Sequence, residues 1–156
     1  MLLGIKQATD YYLLVGPPGT GKTSMALRFM VQEALTDPEA TLLLLSYTNR
    51  AVDEICAMLC NAHINFLRMG NALRSDPAYT PYLISEAVAT DPTLSGISAR
   101  LAQARVVVST TSTLQSKQEL FNLKHFTMAI IDEASQILEP DIVGLLAAHN
   151  DMGQTC

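Results

Sequence analysis

The chain has 156 residues, which suits a single domain with a sizeable apolar core. Its net charge of −5 argues mildly against a nucleic-acid partner, although five arginines and no lysine lie between residues 50 and 105. No apolar run approaches the roughly 20 residues that span a bilayer, and the first residues lack the apolar core of a signal peptide. A cytoplasmic protein without a membrane partner is therefore expected.

The first informative stretch is an apolar run followed by a glycine-rich loop and a helical pattern. Residues 11–15 predict a buried strand, and residues 16–23 read GPPGTGKT, an uninterrupted G-x-x-x-x-G-K-T. Glycine lets the backbone N–H groups turn inward to form an anion-binding nest, and the N-terminus of the next helix adds its dipole. The expected phosphate-binding residues are Gly16, Pro17, Pro18, Gly19, Thr20, Gly21, Lys22, Thr23 and Ser24.

Two side chains of this loop have predicted chemical roles. Lys22 is expected to reach the β- and γ-phosphates of a nucleotide, and Thr23 to offer its hydroxyl to Mg²⁺. The alternative is a Gly/Pro turn with a chance lysine. The order strand, loop, helix is the context that a phosphate-binding loop requires, and it favours the first interpretation.

A second apolar run, at residues 41–46, predicts a strand buried on both faces of a parallel sheet. Residues 46–50 follow it at the carboxyl end, where ligands bind in open α/β sheets. Asn49 is predicted to cap the next helix, with Val52 and Ile55 on its apolar face. The same polar, aromatic and basic cluster also suits a nucleic-acid backbone, and the residues alone do not decide between these interpretations.

The middle of the chain is less regular. Residues 64–69 predict a short strand closed by Gly70, and residues 71–104 predict an insertion at the rim of the sheet. Residues 105–109 predict a third buried strand. Thr110 and Thr111 follow it at the carboxyl edge, where their hydroxyls can contact a ligand or cap the next helix.

A fourth apolar strand, at residues 126–131, ends in two carboxylates. This is a Walker B arrangement, in which Asp132 is expected to bind Mg²⁺ and Glu133 to orient and deprotonate the attacking water. Such an acidic pair is a weak signal alone, because carboxylates often cap helices, but behind a complete phosphate-binding loop it is strong. Residues 134–149 predict a helix with a break or kink at Pro140.

These segments together resemble superfamily 1 helicases of the Upf1-like and Dna2-like branch. GPPGTGKT is similar to motif I of that branch, SYTNRAVD at residues 46–53 to motif Ia, and DEASQ at residues 132–136 to motif II. Arg68-Met69-Gly70 and residues 107–111 resemble two shorter family pieces. The resemblance covers about residues 11–140.

The resemblance implies a RecA-like α/β P-loop NTPase with a mostly parallel sheet and helices on both faces, using ATP and Mg²⁺ to move along single strands. The branch uses both DNA and RNA, and DNA is favoured here because no residue recognisably reads a 2′-hydroxyl. It implies that Gln136 senses the γ-phosphate as a third catalytic residue beside Lys22 and Glu133. The residues it implies for nucleic-acid binding are Thr48, Asn49, Arg68, Thr110 and Thr111.

The family also has a G-D-x-x-Q strand after motif II and a second RecA-like domain that supplies arginine fingers, and neither appears before residue 156. Residues 1–156 are therefore interpreted as an incomplete RecA-like ATP-binding domain, domain 1A of a DNA helicase or nuclease-helicase. The second domain is expected in the same gene product, and this chain by itself is expected not to unwind a duplex. The alternatives are a stand-alone nucleotide-dependent regulatory or binding module, and part of an RNA helicase.

Overall fold

The structure is a computed structural model that describes residues 12–15, 25–89, 92–117, 119–138, 140 and 143. Within these residues four strands form one parallel sheet: β1 (Leu42–Ser46), β2 (Leu67–Arg68), β3 (Val106–Thr110) and β4 (Met128–Ile131). Their spatial order is β2-β3-β1-β4. Every connection between parallel strands must cross over the sheet, and helices supply these crossovers. The α/β class and the parallel sheet predicted from the sequence are confirmed.

Helices cover both faces of the sheet. The described α-helices are α1 (Leu27–Ala34), α2 (Asn49–Asn61), α3 (Ile84–Ala87), α4 (Leu94–Gln103), α5 (Thr111–Gln115) and α6 (Leu120–Leu123). Short 3₁₀ helices span Ala72–Arg74, Pro77–Tyr82 and Ala134–Gln136. None of the helices in the described part of the chain combines the length and apolar character needed to cross a lipid bilayer.

Two apolar cores result from the alternation of side chains along the strands. On one face, Leu42 and Leu44 of β1 pack with Val31 of α1 and with Ile55 and Leu59 of α2. On the other face, Leu43 and Leu45 pack against α4, α5 and α6. Every residue of β1 and β3 is buried, as a continuous apolar run in a two-sided sheet requires.

The predicted strand at residues 11–15 is not observed. Residues 12–15 belong to no strand, and the side chains of Leu13 and Val15 are 70% and 85% exposed. The apolar pattern expresses a preference for burial, but a strand also requires a neighbour with which to exchange hydrogen bonds. Within the described residues, residues 12–15 pair with no strand, although β4 lies at the edge of the sheet and is paired only with β1.

The helix predicted from residue 134 also differs. Residues Ala134–Gln136 form a 3₁₀ turn, which ends at Ile137 with an extended backbone. Ile137 is buried, so the chain turns its apolar side chain inward here instead of continuing a helix. Pro140 and Val143 are helical, so a helical conformation is present again after this break, and the other residues of 139–149 lie outside the described residues.

The amino edge of the sheet is fixed by long-range polar contacts. Arg105 donates to the carbonyls of Leu35, Asp37 and Ala40, beyond the C-terminus of α1. Thr41 and Thr127 exchange hydrogen bonds through their backbone N–H groups and hydroxyls, at 3.0 and 3.2 Å. These contacts fix the position of β1 along its axis relative to β3 and β4. They therefore also fix where the three strands end at the opposite, carboxyl edge.

Candidate functional site

The register of the parallel strands brings the predicted site residues to one edge. Ser46 pairs with Thr110, and Leu45 pairs with Ile131. The N–H of Asp132 donates to the carbonyl of Leu45 at 2.8 Å, which continues the ladder by one residue. Ser46, Thr110 and Asp132 therefore lie in one row across the carboxyl edge, where open α/β sheets bind their ligands.

The two carboxylates after β4 occupy a tight turn. The half-buried Asp132 accepts a hydrogen bond from the N–H of Glu133 through Oδ1, at 3.0 Å. Glu133 is exposed and has φ 55° and ψ 34°, the left-handed conformation that side chains other than glycine seldom adopt. Such strain is retained where the surroundings impose it, and it is concentrated at functional sites.

Gln136 lies one turn further along. Its N–H donates to the carbonyl of Glu133 at 2.9 Å, and its side chain is exposed. The DEASQ stretch thus folds as a compact element that keeps Glu133 and Gln136 close together at the solvent side of the edge. A hard carboxylate oxygen on Asp132 is the type of ligand that Mg²⁺ prefers, so this residue fits the ion expected from the sequence.

The helix cap after β1 differs from the prediction by one residue. Thr48, not Asn49, is the N-cap of α2: its backbone is extended, and its hydroxyl accepts from the N–H of Ala51 at 3.1 Å. Asn49 is the first residue of the helix. The extended residue takes the cap because only there does the side chain turn back toward the free N–H groups. Tyr47, which the predicted contacts omitted, is half exposed beside them.

Thr110 and Thr111 are both buried. The hydroxyl of Thr110 caps α5 by accepting from the N–H of Thr113 at 3.1 Å, and it donates to the Thr113 hydroxyl at 2.8 Å. Of the two roles considered for these hydroxyls, helix capping is the one that Thr110 fills. Both threonines nevertheless lie at the predicted edge, at the end of β3 and the start of α5.

Arg68 does not lie where a nucleic-acid contact requires it. Its side chain is 1% exposed and forms an ion pair with Asp53 of α2, and its Nη1 lies 3.8 Å from Sγ of Cys56. Side chains alternate along a strand, so with Leu67 on the other face Arg68 points beneath α2. The acidic residue at position 53 on the inner side of α2 was the sequence signal for this pair. A buried guanidinium is not available to a phosphate.

Burial also shapes the titration of the groups near Arg68. Desolvation raises the pKa of the Cys56 thiol from 9.0 to about 12, although the adjacent Arg68 guanidinium acts in the opposite direction. A hydrogen bond with the Cys60 thiol raises the pKa of the Tyr82 hydroxyl. No group of three or more His, Cys, Asp or Glu side chains suited to a metal ion occurs in the described part of the chain.

The phosphate-binding loop itself, with Lys22 and Thr23, lies outside the described residues. The helix predicted to follow it is present as α1, preceded by a π-helical turn at Met25 and Ala26. Leu27 and Val31 of α1 are buried in the core that includes β1 and the inner side chains of β4. The helix that should carry the loop therefore packs on the sheet beside the strands that end at the carboxyl edge.

Comparisons with known proteins identify relatives of this chain. The model of a family described as an AAA domain matches residues 3–95. The human DNA replication ATP-dependent helicase/nuclease DNA2 is 35% identical over 138 residues, covering 88% of this chain and 13% of the human protein. Its counterpart in Saccharomyces cerevisiae is 32% identical over 146 residues, covering 94% of this chain and 9% of the yeast protein.

A plant protein gives a similar result: the Arabidopsis thaliana DNA replication ATP-dependent helicase/nuclease JHS1 is 37% identical over 147 residues, covering 93% of this chain and 10% of JHS1. The chain thus spans between 9% and 13% of the length of these three relatives. The relatives agree with the resemblance to the Dna2-like branch of superfamily 1 helicases. Because the matched model covers more than half of the sequence, the chain belongs to the AAA-domain family.

Proposed function

We propose that this chain is the ATP-binding part of an ATP-dependent DNA helicase of the helicase/nuclease type. In the full-length protein, ATP hydrolysis would drive translocation along a single strand. The observation that carries the proposal is the row formed by Ser46, Thr110 and Asp132, which gathers the ends of three strands with helicase-like motifs at one edge. The named activity of the DNA2 and JHS1 relatives supports the same reading.

The proposed chemistry is phosphoryl transfer to water, which depends mostly on positioning and charge. The loop from Gly16 to Ser24 would hold the phosphates with its N–H groups, and Lys22 would add a positive charge. Thr23 and Asp132 would hold Mg²⁺, which when bound neutralises charge on the β- and γ-phosphates. Glu133, in the turn after β4, would orient a water molecule and accept its proton.

Coupling between the nucleotide and the strand is proposed to run along the carboxyl edge. The segments at the ends of β1 and β3 would form part of the strand-binding surface, with Tyr47, Thr48 and Asn49 after β1 beside the buried Thr110 and Thr111. They lie level with the turn that carries Glu133 and Gln136. A shift of that turn on loss of the γ-phosphate would therefore reach the strand-binding loops through directly paired strands.

The substitution Lys22→Ala tests the nucleotide part of the proposal. Loss of a charged donor to a phosphate should weaken binding of Mg-ATP by about 10-fold to 100-fold, since such a hydrogen bond contributes about 1.5 to 3 kcal/mol. The affinity is measured by calorimetry, and the circular dichroism spectrum checks the fold. Lys117→Ala, at an exposed lysine after α5, is the matched control and should bind as the parent does.

Glu133→Gln completes the test, because it removes the base but keeps the shape of the side chain. It should bind Mg-ATP normally and abolish any turnover. Binding of Mg-ATP by Lys22→Ala with the affinity of the parent would contradict the proposed nucleotide site.

A further inference from the structure

The segment that follows β2, residues 71–83, is here called the rim segment. Three hydrogen bonds fix its first half. The side chain of Asn71 accepts from the N–H of Leu73 at 2.9 Å, and the hydroxyl of Ser75 donates to the carbonyl of Asn71 at 2.9 Å. The N–H of Asp76 donates to Oδ2 of Asp53 at 3.4 Å. The rim segment is therefore tied to α2 through a carboxylate.

The same carboxylate is paired with a buried arginine. Asp53 binds Nη1 of Arg68 through its other oxygen, so one side chain links α2, β2 and the rim segment. The far end of the rim segment is also attached, because Leu83 forms a parallel bridge with Arg68. In addition, the Tyr82 ring stacks on Phe66 at 4.4 Å between ring centroids. The rim segment is thus anchored at both ends on the residues around Arg68.

Arg74 is the cation that this anchored segment presents. It ends the 3₁₀ helix Ala72–Arg74 and is exposed, while the next residue, Ser75, is buried. The segment starts at the carboxyl edge, because the N–H of Met69 donates to the carbonyl of Val108 at 2.8 Å. Ser75, the residue after Arg74, packs near Gly70: its hydroxyl oxygen lies 3.9 Å from the point where a Cβ on Gly70 would be. The backbone that carries Arg74 is therefore held close to Gly70, just beyond the end of β2.

The charge of Arg74 is also available. It has no ion pair within the described residues, whereas Arg50, an arginine at the start of α2, lies 3.5 Å from the carboxylate of Glu54. A guanidinium without an acidic partner is suited to a phosphodiester group. The rim segment is ordered by its anchors, so little conformational freedom of its backbone would be lost on binding.

We propose that Arg74 contacts the phosphate backbone of a bound single strand, and that the partly buried Asp53–Arg68 pair positions it there. The inference rests on the proposed function, since it names a contact and a positioning device for the same strand-binding edge. The arginine of the R-M-G stretch is thus the support, and the exposed arginine six residues later is the contact.

The contact is tested with a fluorescent oligothymidylate, whose affinity is measured by anisotropy across a range of salt concentrations. Removal of one phosphate contact should lower the slope of log K against log salt by about 0.7. Arg74→Gln should show this change, with about fivefold to tenfold weaker binding at low salt. Arg100→Gln is the matched control: it removes the same charge from an exposed arginine near the C-terminus of α4 and should keep the parent slope.

The positioning role is tested by removing both charges of the pair, in Asp53→Asn/Arg68→Gln, which avoids leaving one buried charge alone. This variant should show the reduced slope of Arg74→Gln while keeping the parent affinity for Mg-ATP. Adding Arg74→Gln to it should weaken binding no further, because the contact is already lost. Amide hydrogen exchange should accelerate in residues 71–83, and thermal unfolding checks that the variant is folded.

Each outcome decides a separate point. A parent chain that does not bind the oligonucleotide even at low salt overturns the strand-binding part of the proposed function, and the Arg74 contact with it. A parent that binds, with Arg74→Gln and Arg100→Gln giving the same slope, overturns the Arg74 contact alone. Parent-like salt dependence and hydrogen exchange in Asp53→Asn/Arg68→Gln overturn the positioning role.

Discussion

At the scale of single residues, two residues share the same unusual backbone conformation for different reasons. Glu133 and His63 both have φ 55°, in the left-handed region. His63 follows the C-terminus of α2, and the N–H of Ile64 donates to the carbonyl of Leu59, a bond typical of a helix end closed by a left-handed residue. Glycine would be favoured at both positions. At His63 the fold explains the conformation, and at Glu133 the proposed chemistry explains why a carboxylate is kept.

This comparison gives a prediction. Glu133→Gly and His63→Gly should each raise the free energy of unfolding by about 0.5 to 1 kcal/mol, because glycine removes the Cβ penalty of the left-handed region. Only Glu133→Gly should abolish ATP hydrolysis. Urea unfolding and a phosphate-release assay, in the longest form of the protein that hydrolyses ATP, measure the two effects. Full turnover by Glu133→Gly would remove this residue from the proposed mechanism.

Arg68 shows that residue type alone does not predict where a side chain points. Its place in an R-M-G stretch indicated a phosphate contact, yet the alternation of β2 directs it into the protein toward Asp53. The R-M-G stretch correctly singled out Arg68 as a residue with a specific contact, but it wrongly indicated that the side chain points toward a phosphate. The direction depends on which face of β2 is covered by α2, and that is a property of the assembled sheet.

At the scale of elements, helix α2 shows which local rules were sufficient. Its apolar face, with Val52, Ile55 and Leu59, was predicted from periodicity and is buried in the core. Its start was predicted one residue too late. Thr48 and Asn49 are both good caps by residue type, so the choice between them depended on where β1 released the chain in an extended conformation.

The position of the cap can be tested directly. Thr48→Ala should lower the free energy of unfolding by about 1 kcal/mol, because the N–H of Ala51 loses its acceptor. Asn49→Ala should change it by a few tenths of a kcal/mol, since this residue is already inside the helix. Denaturant titration of both variants measures the difference. A larger effect at Asn49 than at Thr48 would contradict the cap seen in the structure.

The strands show that an apolar run is not sufficient to form a strand. The run at residues 41–46 and the run at residues 11–15 have the same apolar character, but only the first forms a strand in the structure. Residues 42–46 have β3 on one side and β4 on the other. Sequence patterns therefore identified segments able to form strands, and pairing selected among them.

At the scale of the whole molecule, the polar cluster around Arg68 couples global stability to pH. Cys56 lies in the core beneath α2, and burial raises its pKa from 9.0 to about 12. Above pH 9 the thiol of the unfolded chain ionises while the folded thiol keeps its proton. The unfolded state is then favoured progressively, so the stabilising contribution is complete below pH 9 and is lost as the pH rises toward 12.

The prediction is a fall in the free energy of unfolding of about 1.4 kcal/mol per pH unit from this group between pH 9 and 12. Cys56→Ala should be less stable than the parent at pH 7, because it leaves a small cavity, and should lack this component of the pH dependence. The difference between the two denaturation curves, measured at several pH values, isolates the thiol from other titrating groups. Parallel curves for the parent and the variant would contradict the raised pKa.

By itself, the amino-acid sequence determined the fold class, the buried strands at β1 and β3, and the residues that carry the proposed chemistry. These follow from local apolar patterns and from short motifs whose residue types suit one kind of ligand. The tertiary structure decided which of these residues meet: the row of Ser46, Thr110 and Asp132 exists because the register sets three strand ends level. It also decided that Arg68 is buried, as the proposed support of the rim segment, whereas Arg74 faces solvent. Burial depends on which elements pack together, and short-range sequence patterns do not specify that packing.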